Sequence, residues 1–466
     1  MHSKSEQAEQ LDVARVDASS VSHRPPDAGR KEPRIARRAA TGAMVGTFIE
    51  YYDFSVYGFL AVIIAPIFFP GSDPVAALLA TLLVFASAWI VRPFGGIFFG
   101  YIGDRYGRKP ALLMALIMIG VASTFMGLLP TYQQIGAWAT LLLLLARLAQ
   151  GFSTGGEVAG AITLVSESVP KNRRSFYASF TPLGSTLGFA AGALAAGVVA
   201  SLTTDAQMAS WGWRLPFLLS LPLTVFCVWA RTRIVETLPT SVVAEQSDGR
   251  FRKKLSVATV FSNRANIKGL SQTIFLSVAT NATVYIGLTY LGIHLVRQLG
   301  YESASVYWAS VVYITIVALC MPLGGLLGDR IGATRAIAIG LLGFAVITYP
   351  AMLLMHVNLI IATLACCAVL INTVFVQAGV YTVVPRLFPR EARYSGVALG
   401  WNLGAVAAGG TAPYAAVWLV DRTGNSLSPA FLVIGAAVIG FVTLLTIMRN
   451  KSDSDDLHTP LAAREG

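Results

Sequence analysis

The sequence predicts an all-α membrane protein in which twelve transmembrane helices form two pseudo-symmetric six-helix bundles. Three observations predict this fold class. The 466 residues are 55% hydrophobic and only 13% charged, with a mean hydropathy of +0.63, whereas a soluble domain carries about 25% charged residues. Apolar stretches long enough to cross about 30 Å of hydrocarbon as helices recur from residue 41 to residue 448. A charged loop between two such stretches also occurs twice, once in each half of the chain.

The two copies of this loop share a pattern of glycines around an Asp-Arg pair. The first is Gly100–Lys109, and the second is Gly325–Gly332. Glycines let two helix ends approach closely, and the aspartate can cap a helix or pair with an arginine. Three cations among residues 105–109 predict that the first loop faces the cytoplasm, because cytoplasmic loops are enriched in Lys and Arg.

Hydropathy divides the chain into twelve spans and three polar segments. The spans are predicted at 41–69, 75–100, 110–130, 137–166, 177–201, 214–232, 267–293, 304–328, 335–355, 358–385, 394–420 and 428–448. Residues 1–40 predict a disordered cytoplasmic tail, 233–266 a cytoplasmic linker between bundles 41–232 and 267–448, and 449–466 a second cytoplasmic tail. We expect no secretory signal, since residues 1–40 contain no apolar core with a small-residue cleavage site.

The exits from the fourth and tenth spans repeat as well. Pro170 and Arg174 have the same spacing as Pro389 and Arg393. Parallel halves of a twelve-helix protein would show this repetition. The bland alternative is that Pro-Arg loops recur in any inner-membrane protein.

The charge and cysteine patterns exclude several classes of protein. The net charge is +11, but the cations lie mostly in tails and loops of one sidedness, which predicts membrane orientation rather than nucleic-acid binding. The four cysteines fall within predicted spans, without disulfide or metal spacing. No nucleophile–base or metal-ligand constellation occurs, so we expect no enzyme, no metal site and no cofactor.

Three charged residues fall deep within the first two spans. Each costs about 2.5–3.5 kcal/mol near the bilayer centre and so requires a partner or a function. Glu50 and Asp53 lie three residues apart in the first span, with Glu50 about 14 Å from the cytoplasmic end. Arg92 in the second span lies at a similar depth of about 12 Å. A structural Arg–carboxylate pair and a substrate site both explain this coincidence, and they are not exclusive.

The fourth span adds two more charges, Arg147 and Glu157, in an otherwise uncharged run. Glu157 is either part of a proton site or a carboxylate that pairs with loop cations near the cytoplasmic end. The same span has small residues that would let a neighbouring helix pack tightly. They are Gly151, Gly155, Gly156 and Gly160.

These motifs resemble those of a known family. The two charged loops resemble the signature loops of the major facilitator superfamily of transporters. The run 46–58, the Arg92-Pro-Phe-Gly-Gly core and the run 150–157 look like the metabolite:proton symporter family, whose members carry proline and betaine or acids such as 2-oxoglutarate, citrate and shikimate. The resemblance implies the major facilitator fold, import by proton symport through alternating access, and a role for Arg147 in proton coupling.

We therefore expect a transporter that imports a small carboxylate-bearing or zwitterionic metabolite with protons. It would be a multi-pass monomer in the lipid bilayer of the inner (cytoplasmic) membrane. A uniporter or exporter of the same fold for a sugar-like or hydrophobic solute, and a non-transporting nutrient receptor, are the alternatives.

The candidate site residues fall into three groups. The expected substrate-binding residues are Arg92, Tyr57, Tyr52, Asn281, Tyr285, Gln377 and Asn402. The expected proton-coupling residues are Glu50, Asp53, Arg147 and Glu157. The expected cytoplasmic gate comprises Gly100, Asp104, Arg105, Gly107, Arg108, Glu167, Arg174, Asp329, Arg330 and Arg393.

Overall fold

A computed structural model describes residues 28–71, 73–106, 108–155, 169, 173–236, 257–389 and 392–457. These residues form helices, turns and short connections, and none of them lies in a strand. Several predicted features lie outside the described residues, namely most of both tails, most of the linker, Gly107, Glu157 and Glu167. The side chains of Asp104 and Arg108 lie outside them as well.

The described residues contain twelve main helical units, some of them divided by a turn or a change of helix type. They are α1 (Ala28–Phe68), α2 (Pro74–Tyr106), α3 (Arg108–Leu128), α4 (Ala137–Ser153), α5 (Arg174–Ala178 and Phe180–Leu202), α6 (Arg214–Leu218 and Ser220–Glu236), α7 (Arg264–Tyr285, Ile286–Tyr290 and Leu291–Arg297), α8 (Ser303–Ile331), α9 (Ala333–Leu354), α10 (Leu359–Leu370 and Asn372–Val383), α11 (Arg393–Ala408 and Thr411–Thr423) and α12 (Ser428–Leu457). Short helical pieces lie at Tyr132–Ile135, Asp205–Gln207, Met208–Gly212, Val257–Phe261 and Val384–Leu387.

Eleven helices in the described part of the chain are long and apolar enough to cross a membrane. They correspond to all the predicted spans except the fourth. There, the described helix α4 ends at Ser153 and is apolar but shorter, and most of the predicted remainder lies outside the described residues. The helix α1 begins at Ala28, before its membrane-length segment Ala40–Phe68, so it extends into the predicted tail.

The two halves of the chain pack by the same scheme. In the first half α1 packs on α5, α2 on α4, and α3 on α6; in the second half α7 packs on α11, α8 on α10, and α9 on α12. The halves meet mainly where α5 packs on α8 and α2 packs on α11. This repetition is the pseudo-symmetry that the two charged loops predicted.

Glycines bring the backbones of α2 and α4 into direct contact. A Cβ atom at Gly151 would lie 1.9 Å from the Ala88 carbonyl oxygen, and one at Gly155 would lie 1.9 Å from the Arg92 carbonyl oxygen. Only a residue without a side chain fits at such a distance. The prediction that small residues of the fourth span allow close packing is thus confirmed at these two positions, and the contact fixes the position of Arg92.

Candidate functional site

A buried ion pair joins α1 to α2. Arg92 Nη2 lies 3.1 Å from Glu50 Oε1, and the two side chains are 3% and 2% exposed. The Arg92 guanidinium also packs on aromatic faces, with Cζ 3.5 Å from the Trp89 ring centroid and 4.6 Å from that of Phe54. Stacking preserves a cation–π attraction while the N–H groups face the carboxylate. The similar depths predicted for Glu50 and Arg92 are therefore matched by a direct contact.

Tyr285 brings the second half of the chain to this ion pair. Its ring meets Trp89 edge to face with 5.0 Å between centroids, and Phe189 of α5 at 5.9 Å. Its phenol lies close enough to Arg92 for an electrostatic interaction. A π-helical turn, Ile286–Tyr290, follows immediately, and such turns are frequent at functional sites. Of the predicted substrate residues in the second half, Tyr285 is the one that lies beside Arg92.

Tyr381 is a residue of this site that the sequence did not predict. It is buried on α10, lies within electrostatic range of Glu50, and packs on Trp401 of α11 with 5.4 Å between ring centroids. A signal was available, because Tyr381 follows the predicted residue Gln377 by four positions and so shares its helix face. The Arg92–Glu50 pair thus lies between the halves, in an aromatic environment supplied by both.

Asp53 forms a second buried polar cluster. Although it lies three residues from Glu50 on α1, it contacts a different neighbour, since its Oδ1 accepts a hydrogen bond from the Ser220 hydroxyl of α6. Among the described side chains no hydrogen-bond donor contacts its Oδ2, and no ion pair involves it. Ser123 of α3 is the other hydroxyl near this carboxylate. Asp53 is therefore a fully buried carboxylate bound by hydroxyl groups.

Arg147 lies beside the Asp53 cluster in an aromatic enclosure. Its Nη1 donates a hydrogen bond of 2.6 Å to Gln150 Oε1, and Gln150 Nε2 donates to Ser123. The guanidinium is fully buried and carries a cation–π interaction with each of three rings. Their centroids lie 4.4 Å (Phe54), 4.5 Å (Tyr57) and 4.7 Å (Phe85) from Cζ. A chain of hydrogen bonds thus connects Arg147 to the surroundings of Asp53.

The two tyrosines predicted to bind substrate make hydrogen bonds within the first half. The Tyr52 hydroxyl donates to the Pro216 carbonyl at 2.7 Å, and the Tyr57 hydroxyl donates to the Thr81 carbonyl at 3.1 Å. Both phenols are buried. In this conformation their hydroxyl groups connect α1 to α6 and to α2.

The three predicted amide residues lie in different environments. Asn281 donates to the Ser277 carbonyl of its own helix at 2.8 Å, and Asn402 donates across the halves to the Gly155 carbonyl at 3.4 Å. Gln377 is buried, and its Oε1 has no hydrogen-bond partner among the described residues. Of the three, Gln377 is the one with an acceptor available to a ligand.

Asp329 closes the end of the protein that carries the charged loops, called the inner end below. Its carboxylate accepts backbone hydrogen bonds from Ser175 at 2.8 Å and Phe176 at 3.0 Å. The Thr382 hydroxyl adds a bond of 3.3 Å to the Ser175 hydroxyl. Both contacts connect the second half to the start of α5. The predicted gate residue Asp329 therefore acts on the backbone of the other half.

The other described gate residues make local contacts. Arg105 donates to the Tyr101 hydroxyl at 2.9 Å, and Arg393 donates to the Pro385 carbonyl at 2.9 Å. Arg330 is exposed, Arg174 is partly buried, and Gly100 has open space beside its Cα. None of these side chains bridges the halves by a hydrogen bond or ion pair recorded among the described residues.

The opposite, outer end is also closed by contacts between the halves. The Tyr307 hydroxyl of α8 donates to the Phe59 carbonyl of α1 at 3.0 Å, and Trp308 Nε1 donates to the Ser201 hydroxyl of α5 at 2.9 Å. The Arg92–Glu50 pair is thus enclosed from both ends. This conformation is the one expected midway between openings to the two sides of a membrane.

A bundle of membrane-spanning helices with buried charges between two similar halves, closed at both ends, defines a membrane transporter. The family profile of the Major Facilitator Superfamily matches residues 43–408 and, in a second match, 273–462. The chain belongs to the Major Facilitator Superfamily, with the major facilitator fold, and resembles its proline/betaine transporters. It is thereby a transport protein rather than an enzyme.

Three relatives support this placement. The ectoine/proline transporter ProP of Corynebacterium glutamicum is 36% identical over 89% of this chain and 84% of its own. The glycine betaine/proline/ectoine/pipecolic acid transporter OusA of Dickeya dadantii is 35% identical over 92% and 86%. The proline/betaine transporter of Escherichia coli is 34% identical over the same shares.

A solved structure confirms the fold. The proton:xylose symporter XylE superposes with a TM-score of 0.70, covering 90% of this chain and 96% of its own. At 16% identity this likeness concerns the fold alone.

Proposed function

We propose that this protein imports a small zwitterion, with a carboxylate and a positively charged nitrogen, by proton symport through alternating access. The relatives named above transport proline, betaine, ectoine or pipecolic acid, which all combine these two groups. The observation that carries the proposal is the Arg92–Glu50 pair at 3.1 Å, enclosed by aromatic rings from both halves. Arginine binds carboxylates through two parallel hydrogen bonds, and aromatic faces bind quaternary and secondary ammonium groups.

Arg92 is the proposed partner of the substrate carboxylate. In the closed conformation Glu50 occupies that position, so a substrate carboxylate competes with Glu50 for the guanidinium. The indole of Trp89 and the phenols of Tyr285 and Tyr381 then surround the cationic nitrogen. This arrangement would favour zwitterions over neutral sugars, which offer neither charge.

Asp53 is the proposed proton-binding group. It is fully buried, it has no ion pair among the described residues, and one of its oxygens has no hydrogen-bond donor. A carboxylate in such a place is suited to alternate between charged and neutral forms. The chain from Arg147 through Gln150 to Ser123 can report this change to the rest of the first half.

The proposed transport cycle moves residues 41–232 and 267–448 against each other as two six-helix bundles. Asp329 and Ser175 separate when the inner end opens, and Trp308 and Ser201 separate when the outer end opens. We further propose that the protein acts as a monomer in the inner membrane with both termini cytoplasmic, supported by the cations of the inner-end loops.

Uptake into proteoliposomes with an acidic exterior tests this function. We expect labelled proline or glycine betaine to accumulate, an uncoupler to abolish the accumulation, and xylose to be excluded. Arg92→Ala should lower uptake at least about tenfold, since a hydrogen bond to a charged group contributes about 1.5–3 kcal/mol. Arg330→Ala is the matched control, an arginine exposed at the inner end.

Three outcomes would contradict the proposal. Uptake that is indifferent to the uncoupler would indicate a facilitator or exporter. Binding without uptake would indicate a nutrient receptor. Normal uptake by Arg92→Ala would remove Arg92 from the substrate site.

A further inference from the structure

A second cavity lies at the outer end, separate from the Arg92–Glu50 pair. It has a volume of about 240 Å³ and lies between the start of α2, the end of α7 and the end of α11. Val75 and Leu78 of α2 and Val417 of α11 provide apolar walls. The cavity is therefore formed by both halves of the chain.

Two opposite charges line this cavity without neutralising each other. Arg297 extends from the end of α7, and Asp421 extends from α11. Both are exposed, and neither takes part in an ion pair or side-chain hydrogen bond within the described part of the chain. Unpaired charges of opposite sign on facing walls complement a ligand that carries both signs.

His294 provides a buried polar group on the same wall as Arg297. It precedes Arg297 by three residues and so lies on the same face of α7. Its side chain is fully buried, and Nε2 has no hydrogen-bond partner among the described residues. The Tyr290 hydroxyl lies 3.4 Å from the other ring nitrogen, Nδ1. Because an unsatisfied buried polar atom is costly, Nε2 is best explained as a group that a ligand contacts.

We propose that this cavity, the outer site, binds a zwitterionic solute before it reaches Arg92. The carboxylate lies against His294 and Arg297, the cationic nitrogen lies against Asp421, and the hydrocarbon part packs on Val75, Leu78 and Val417. Only the choice of ligand class rests on the proposed function. The outer site is a separate binding site, and it collects solute at the outer face.

Glycine betaine binding to the full-length protein in nanodiscs tests this assignment. In an Arg92→Ala background, which removes the central site, saturable betaine binding should persist. Choline and acetate, which carry one charge each, should bind at least about fivefold more weakly. Arg297→Ala and Asp421→Asn should each weaken betaine binding about fivefold, the loss expected for one exposed charge contact.

The controls are exposed charges of the same end that do not line the cavity. Arg422→Ala and Asp205→Asn remove such charges and should leave betaine binding unchanged. Arg92→Lys replaces Arg92→Ala as the background if the latter does not purify as a monodisperse protein.

The outer site is refuted if the background variant shows no saturable betaine binding, or if both Arg297→Ala and Asp421→Asn bind betaine as tightly as the background. Betaine uptake by the wild-type chain is measured separately. Its absence would contradict the proposed function, while the binding result would still decide the outer site.

Discussion

Asp329 holds the backbone of Ser175 at a distance of 2.8 Å, across the boundary between the halves. Close approach of α8 makes this bond possible, because a Cβ atom at Gly325 would lie 2.6 Å from the Ser175 carbonyl oxygen. A carboxylate that accepts two amide hydrogen bonds at the start of a helix satisfies donors that have no intrahelical partner. The contact therefore stabilises the closed inner end without requiring an arginine.

Replacing Asp329 should loosen the inner end. Asp329→Ala leaves the Ser175 and Phe176 amides without their acceptor, and loss of a capping group costs about 1 kcal/mol. Hydrogen–deuterium exchange of the segment 174–180 should accelerate about fivefold. Asp329→Asn, which retains one acceptor oxygen, should show a smaller change. Equal exchange in Asp329→Ala and in the control Arg330→Ala would show that Asp329 does not hold the inner end closed.

The glycine contacts between α2 and α4 predict a contrast in stability. Gly151→Ala places a methyl group where the Ala88 carbonyl oxygen lies 1.9 Å away, so the helices must separate, at a cost of about 1–3 kcal/mol or more. The thermal unfolding midpoint in detergent should fall by several degrees. Gly435→Ala is the matched control, because a Cβ atom there has open space and alanine favours a helix by about 1 kcal/mol. A lower midpoint for Gly435→Ala than for Gly151→Ala would contradict the packing described here.

The Arg92–Glu50 pair predicts a non-additive effect on stability. Glu50→Gln or Arg92→Met alone leaves a buried group without its partner, which costs about 3–5 kcal/mol when a charge stays uncompensated. The double variant removes both charges, so its unfolding midpoint should recover at least half of the loss. Asp205→Asn with Arg330→Ala, at opposite ends of the molecule, should be additive. Additivity of the Glu50 and Arg92 variants would mean that the two side chains are not energetically coupled.

Sequence reasoning reached the fold further than the site. Hydropathy and the repeated loops predicted the helices because a bilayer demands long apolar segments, and this demand acts on each segment separately. Depth along two helices also predicted that Glu50 and Arg92 would meet. Rotation about a helix axis is set by packing, so hydropathy did not show that the hydroxyl groups of Tyr52 and Tyr57 bond to other helices of the first half. The role of Tyr381 depends on contacts between α10 and α1, which no local pattern reveals.

Asp53 provides the last prediction, on coupling. If Asp53 carries the transported proton, Asp53→Asn should abolish uptake driven by a pH gradient but retain exchange of labelled for unlabelled proline or betaine, since exchange needs no net proton movement. Ser220→Ala removes the hydroxyl that donates to Asp53 but keeps the carboxylate, so it should shift the pH dependence of uptake and preserve accumulation. Thr232→Ala, an α6 variant whose hydroxyl bonds locally to the Trp229 carbonyl, is the control. Gradient-driven accumulation by Asp53→Asn would transfer the proton to another group, with Glu50 the next residue to test in the same assay.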